Sequence, residues 1–174
     1  MKFKELFIYF ILYAFMGWIY ETVLEVIIYQ TGFSNRGVLF GPILPVYGFG
    51  AMIFLFTFNK LLKKLTKLEK FFMIPVVFIV CMILSTSLEL LTSYLCEYAS
   101  GSWPWNYKKY PFNFEGRIAL NPSLRFGLGS ILFLYILQPL FEKFTSSIKP
   151  RTLNLIFTLF MLFFVRDLAY KFIF

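Results

Sequence analysis

The sequence predicts an all-α membrane protein of about five transmembrane helices, with a weak parallel two-helix repeat (spans 1–2 and 3–4) and a final helix. Three observations carry this. The chain is 59% hydrophobic and 22% aromatic but only 15% charged, too little polar surface to coat a soluble globule. Its apolar runs reach about 20 residues, the length that crosses a ~30 Å hydrocarbon core. Its basic residues gather in the short loops between those runs.

The length suits one polytopic membrane domain, 1–174. The first span covers about 6–29. It is long and carries two acids, unlike a cleaved signal sequence. The second, about 43–59, begins through GPILPVYGFG, and the third covers about 71–95. The fourth, about 123–141, begins through NPSLRFGLG, and the fifth covers about 153–173.

Net charge is +8, and its distribution sets the expected orientation. NKLLKKLTKLEK (59–70) carries five lysines against one acid. Lys143, Lys149 and Arg151 mark the 142–152 loop, and Lys2 and Lys4 precede the first span. With five spans these segments share one side, which the positive-inside rule places in the cytoplasm. The N-terminus is then cytoplasmic in a multi-pass cell-membrane protein. The 30–42 and 96–122 connections lie outside. Charge that serves topology and the bilayer argues against nucleic acid as a partner.

There are no histidines, and Cys81 and Cys96 stand far apart. That removes the commonest metal ligand and the usual general base. No metal, cofactor or catalytic residue is expected. The outer 96–122 connection holds Trp103, Trp105, Tyr107 and Tyr110, which suits an interfacial aromatic belt, a folded cap over a cavity, or both.

GVLFGP (37–42) resembles RIALNP (117–122), and YGFGA (47–51) matches FGLGS (126–130). An acid precedes each in the preceding span, Glu21 and Glu89. The two copies run the same way through the bilayer, which defines a parallel repeat. Gly17, Glu21 and Glu25 are spaced four apart, as are Ser85, Glu89 and Ser93, so each set is expected on one helix face. At ~1.5 Å per residue Glu21 lies some 20 Å past Leu6, in the outer half of the core. Glu25 is expected near the interface, where it reaches water.

An ionised carboxylate facing lipid costs ~2.5–3.5 kcal/mol. Glu21 and Glu89 should therefore face inward, each protonated or paired. Arg36, Arg117 and Arg125 are the candidate partners, since guanidinium holds a carboxylate with two hydrogen bonds. The helix N-termini after the prolines could also face these acids. Gly48, Gly50, Gly127 and Gly129 would let backbones approach there. The competing reading is that Glu–Arg pairs merely pin the helices together. Arg166 and Asp167 are read as structural or interfacial.

GWIYE (17–21), NRGVLFGPILPVYGFGA (35–51), SLE (87–89), WPWNY (103–107) and FNFEGRIAL (112–120) with Ser123 form a pattern over about two-thirds of the chain. On these residues the chain resembles the bacterial membrane family named as ABC-transporter permeases, type IV or CmpB-like. The resemblance implies a transport role and carries over motif positions. Trp18, Glu21, Asn35, Arg36, Tyr47, Glu89, Asn113 and Arg117 become candidates for substrate or ion binding. Gly17, Gly37, Gly41, Pro42, Gly48 and Gly116 become structural motif positions. Here Pro104 separates the tryptophans and Asn106 precedes Tyr107, where the family often has WW and an acid–Tyr pair.

The first functional reading is thus a membrane transport component, permease-like, with a polar Glu/Arg site near the outer face. The alternative is a non-transporting scaffold or regulatory subunit. A membrane-embedded enzyme acting on lipid or envelope precursors comes third, because no nucleophile elbow or metal cluster appears. No G-x-x-x-x-G-K-[ST] occurs, so an ATPase would be a separate subunit. Five spans are few for a translocation path, which points to a homo-oligomer or another membrane subunit. The basic 59–70 loop suits an ATPase contact or, better, anionic headgroups of the lipid bilayer.

Overall fold

The computed structural model describes residues 2–28, 30, 32–35, 39, 41–103 and 105–173. Among these, five helices are long and apolar enough to cross a membrane. They are α1 (Phe3–Ile28), α2 (Pro45–Lys64), α3 (Lys67–Ser100), α4 (Leu120–Ser147) and α5 (Pro150–Ile173). A small hairpin, β1 (Asn113–Phe114) against β2 (Ile118–Ala119), precedes α4. The all-α membrane fold is therefore present. A helix satisfies its backbone hydrogen bonds internally, which hydrocarbon demands of any single spanning segment.

All five helices outrun the expected spans at one end or both, and α2, α3 and α4 do so by five residues or more. Hydropathy marks only the apolar stretch, whereas the hydrogen-bonded backbone continues until something stops it. α3 starts where Thr66 Oγ1 accepts from the Glu69 N–H and the Glu69 carboxylate reaches back to the Thr66 N–H, a reciprocal cap. It stops at Gly101, whose positive φ of 77° suits glycine and whose N–H returns to the Glu97 carbonyl. The five residues gained beyond Leu95 carry Glu97.

α1, α2 and α4 each contain one π-widened stretch, at Leu24–Ile28, Leu55–Asn59 and Leu132–Leu137. The first corrects a sequence expectation. A wider turn breaks the four-residue face of Gly17, Glu21 and Glu25. Glu25 is buried, 5% exposed, rather than within reach of water.

Packing divides the chain into two compact units, Met1–Ile53 with Pro139–Phe174, and Phe54–Gln138. In the first unit, Phe7 and Phe10 of α1 meet Phe164 of α5 edge to face at 5.9 and 5.7 Å. Tyr9 and Thr145 share a buried hydroxyl hydrogen bond of 2.7 Å. Gly48 of α2 lies against Phe10. In the second unit, α3 packs along α4, with Gly127 against the Phe78 ring. Thr86 Oγ1 donates to Ser123 Oγ at 2.8 Å, and Cys81 is fully buried.

The two glycine contacts are alike. Gly48 and Gly127 hold matching motif positions, and Phe10 and Phe78 precede Glu21 and Glu89 by the same number of residues. Gly50 and Gly129 have nothing near their Cβ positions, so the close approach expected of them is not found. Each of those glycines points away from the neighbour that its partner two residues earlier contacts.

Candidate functional site

Each unit holds a polar cluster that includes a motif carboxylate, Glu21 on α1 in the first and Glu89 on α3 in the second. In the first unit the Tyr47 hydroxyl at the start of α2 donates a short hydrogen bond to Glu21 Oε1. Gly17 makes this meeting feasible, because the Tyr47 ring lies directly over its Cα. The start of α2 is set by two backbone features. The Leu44 N–H donates to the Ala14 carbonyl at 2.9 Å. The chain turns tightly around Pro42, with the Ile43 N–H returning to the Gly41 carbonyl at 2.8 Å.

The loop before α2 is held by side chains. Glu25 accepts from the Ser34 N–H at 3.2 Å and from its hydroxyl at 2.7 Å. Trp18 Nε1 donates to Asn35 Oδ1 at 2.9 Å. The Gly41 N–H donates to Asp167 of α5 at 2.9 Å. Glu25 and Asp167 were not among the site candidates. Asp167 gave no sequence signal beyond its place in an apolar helix, which by itself asks for a partner. Arg36 and Gly37 lie outside the described residues.

The second unit carries the richer cluster. The 96–122 connection folds into the β1–β2 hairpin instead of running as a plain interfacial strap. Glu115 and Gly116 both take positive φ, 53° and 71°, to close it. Asn113 shapes this turn, its Oδ1 accepting from the Gly116 N–H at 3.0 Å and its Nδ2 donating to the Tyr110 carbonyl at 2.8 Å. Asn113 thus spends both side-chain atoms on backbone. A shallow apolar groove beside the hairpin is lined by Phe112, Phe114, Ile118 and Leu120.

The turn delivers Arg117 inward, where it is 5% exposed. Its guanidinium lies between the Tyr94 and Trp103 rings, 4.1 and 3.9 Å from their centres. Its Nη2 pairs with Glu97 at 2.5 Å and its Nε with Glu115 at 3.1 Å. Nη1 donates to Ser93 Oγ at 3.3 Å. Trp105 Nε1 fixes the Arg117 carbonyl at 2.7 Å. Arg117 therefore meets Glu97 and Glu115 rather than Glu89. The helical extension past Leu95 and the hairpin turn place those two acids closest to it.

Glu89 instead accepts from the Tyr107 hydroxyl at 2.8 Å. Its other oxygen is buried with no hydrogen-bond partner among the described residues. The indole N–H of Trp103 is in the same condition. Tyr107 was missed as a site residue, although it stands in the WPWNY motif. Both Glu21 and Glu89 thus receive a tyrosine hydroxyl, an arrangement that tolerates a neutral or charged carboxyl. No group of three or more metal-ligating side chains occurs among the described residues.

A protein-family model described as "Putative ABC-transporter type IV" matches residues 8–172. No curated protein and no solved structure matches the chain.

Proposed function

The chain belongs to the family described as putative ABC-transporter type IV, and on that premise we propose that it is a permease-like transport component whose Glu21 and Glu89 sites engage the transported solute or a coupled ion. Both sites sit near the outer face, the N-terminus is cytoplasmic, and a separate ATPase or second membrane subunit supplies the energy. Trp18, Tyr47, Asn35 and Tyr107 shape the two sites.

The observation that carries this reading is the Glu89 carboxyl. It lies on a membrane-spanning helix, with one oxygen held by Tyr107 and the other buried and free to accept. A carboxyl serving only to pin helices would be expected to use both oxygens on protein donors, because an unsatisfied buried acceptor costs about 1–3 kcal/mol. Intramembrane acids that keep free hydrogen-bonding capacity mark ion and substrate paths.

Replacing the acids by glutamine tests it. Glutamine still accepts the tyrosine hydrogen bond but cannot carry charge or exchange a proton. In a deletion strain of the source organism, solute profiles of cells and medium are compared after rescue. Wild type should restore the profile. Glu21→Gln/Glu89→Gln should not, at equal membrane abundance and melting temperature. Full rescue by the double variant would favour the scaffold or regulatory reading. One observation already leans that way: Arg117 spends its donors on groups of its own unit.

A further inference from the structure

The corner between α2 and α3 is a second, independent feature. Lys60, Lys63, Lys64 and Lys67 are all exposed across it. Asn59 and Leu62 are buried and anchor the end of α2. The chain breaks at Leu65 in an extended conformation, and α3 begins after Thr66. The one acid of the 59–70 stretch, Glu69, folds back on Thr66, accepting from its N–H and hydroxyl at 2.7 Å each. Glu69 is thus engaged at the start of α3.

We propose that this corner binds the phosphate headgroups of anionic phospholipid. Large apolar side chains lie among and beside the lysines and are also exposed: Leu61, Leu68, Phe71 and Phe72. Such side chains belong in acyl chains, while lysine stems run along them and lift the ammonium to headgroup level. A water-soluble protein partner would have to cover both. The residue type agrees. All five basic residues here are lysine, a point charge suited to mobile phosphate. The chain uses arginine where a carboxylate is held in fixed geometry, at Arg117.

The test is native mass spectrometry of the detergent-purified full chain, titrated with dioleoyl phosphatidylglycerol or dioleoyl phosphatidylcholine. Wild type should bind phosphatidylglycerol at least tenfold more tightly. Lys64→Gln/Lys67→Gln should lose about tenfold or more, following the usual contribution of a lysine near an anionic surface. Lys108→Gln/Lys109→Gln removes the same charge from exposed lysines of the other connection and should lose less than twofold. Raising ammonium acetate from 0.05 to 0.5 M should weaken wild-type binding in the same way. Equal binding of the two lipids, equal losses in the two double variants, or no salt effect would overturn the proposal. So would unchanged lipid binding in Lys64→Gln/Lys67→Gln coupled to loss of a co-purifying ATPase, which would assign the corner to a protein.

Discussion

Replacing Arg117 with alanine is expected to destabilise the detergent-purified protein by about 3 kcal/mol, through loss of the cation stacked between two rings and of its charge-assisted hydrogen bonds. For a chain of this size that is a fall of about 10 °C in melting temperature. The guanidinium is nearly inaccessible and is held by two carboxylates, one hydroxyl and two aromatic faces. Its removal leaves Trp103 and Tyr94 without the cation between them. Arg117→Lys should recover less than half of the loss, because an ammonium cannot stack between two rings and reach both acids. Removing the acids should matter less. Glu97 and Glu115 side chains are 42% and 55% exposed, so water replaces the lost partner. Glu115→Gln should cost under about 1 kcal/mol. A melting curve of Arg117→Lys that overlays wild type would show that the stacked geometry contributes nothing.

The glycine contacts give the second large effect, and they rank. At Gly48 a Cβ would lie 2.6 Å from the Phe10 ring and 2.8 Å from the Phe10 carbonyl oxygen. A ring can turn aside, but a helix backbone cannot, so α1 and α2 must separate. At Gly127 the three nearest atoms all belong to the Phe78 ring, at 2.7 to 3.0 Å. At Gly17 the new Cβ would overlap the root of the Tyr47 side chain, which also serves Glu21. Gly17→Ala and Gly48→Ala should each cost about 2–3 kcal/mol and Gly127→Ala about 1 kcal/mol, in the range for overpacking. Gly50→Ala and Gly129→Ala meet nothing within 4 Å and should be neutral or slightly stabilising. Thermal melts of the five variants check the order. Similar losses at Gly48 and Gly50 would contradict it.

Much of the fold was legible because hydrocarbon imposes one rule, an apolar helix of sufficient length. That rule finds α1 to α5 and fails only at their ends, where Thr66 and Gly101 decide. The clusters were less legible. Arg117 was expected near Glu89, yet its direction is set by left-handed backbone at Glu115 and Gly116, which helix spacing does not contain. Glu25 was expected near water, but the π turn at Leu24–Ile28 and the Ser34 loop bury it. Gly50 and Gly129 looked like Gly48 and Gly127, because a glycine announces freedom to approach without naming a neighbour. The pairing of Glu21 and Glu89 with tyrosine hydroxyls could have been suspected from Tyr47 and Tyr107, both in motifs already singled out.

The central claim is that the Glu89 carboxyl is a recognition site rather than a helix pin. A high-resolution map of the protein in lipid nanodiscs, solved with its natural co-purifying solutes, tests it most directly. A solute or ion within hydrogen-bonding distance of the second Glu89 oxygen, with Tyr107 on the first, is the predicted result. Density showing both oxygens engaged only by protein donors would contradict it and leave the acids of α1 and α3 a purely structural role.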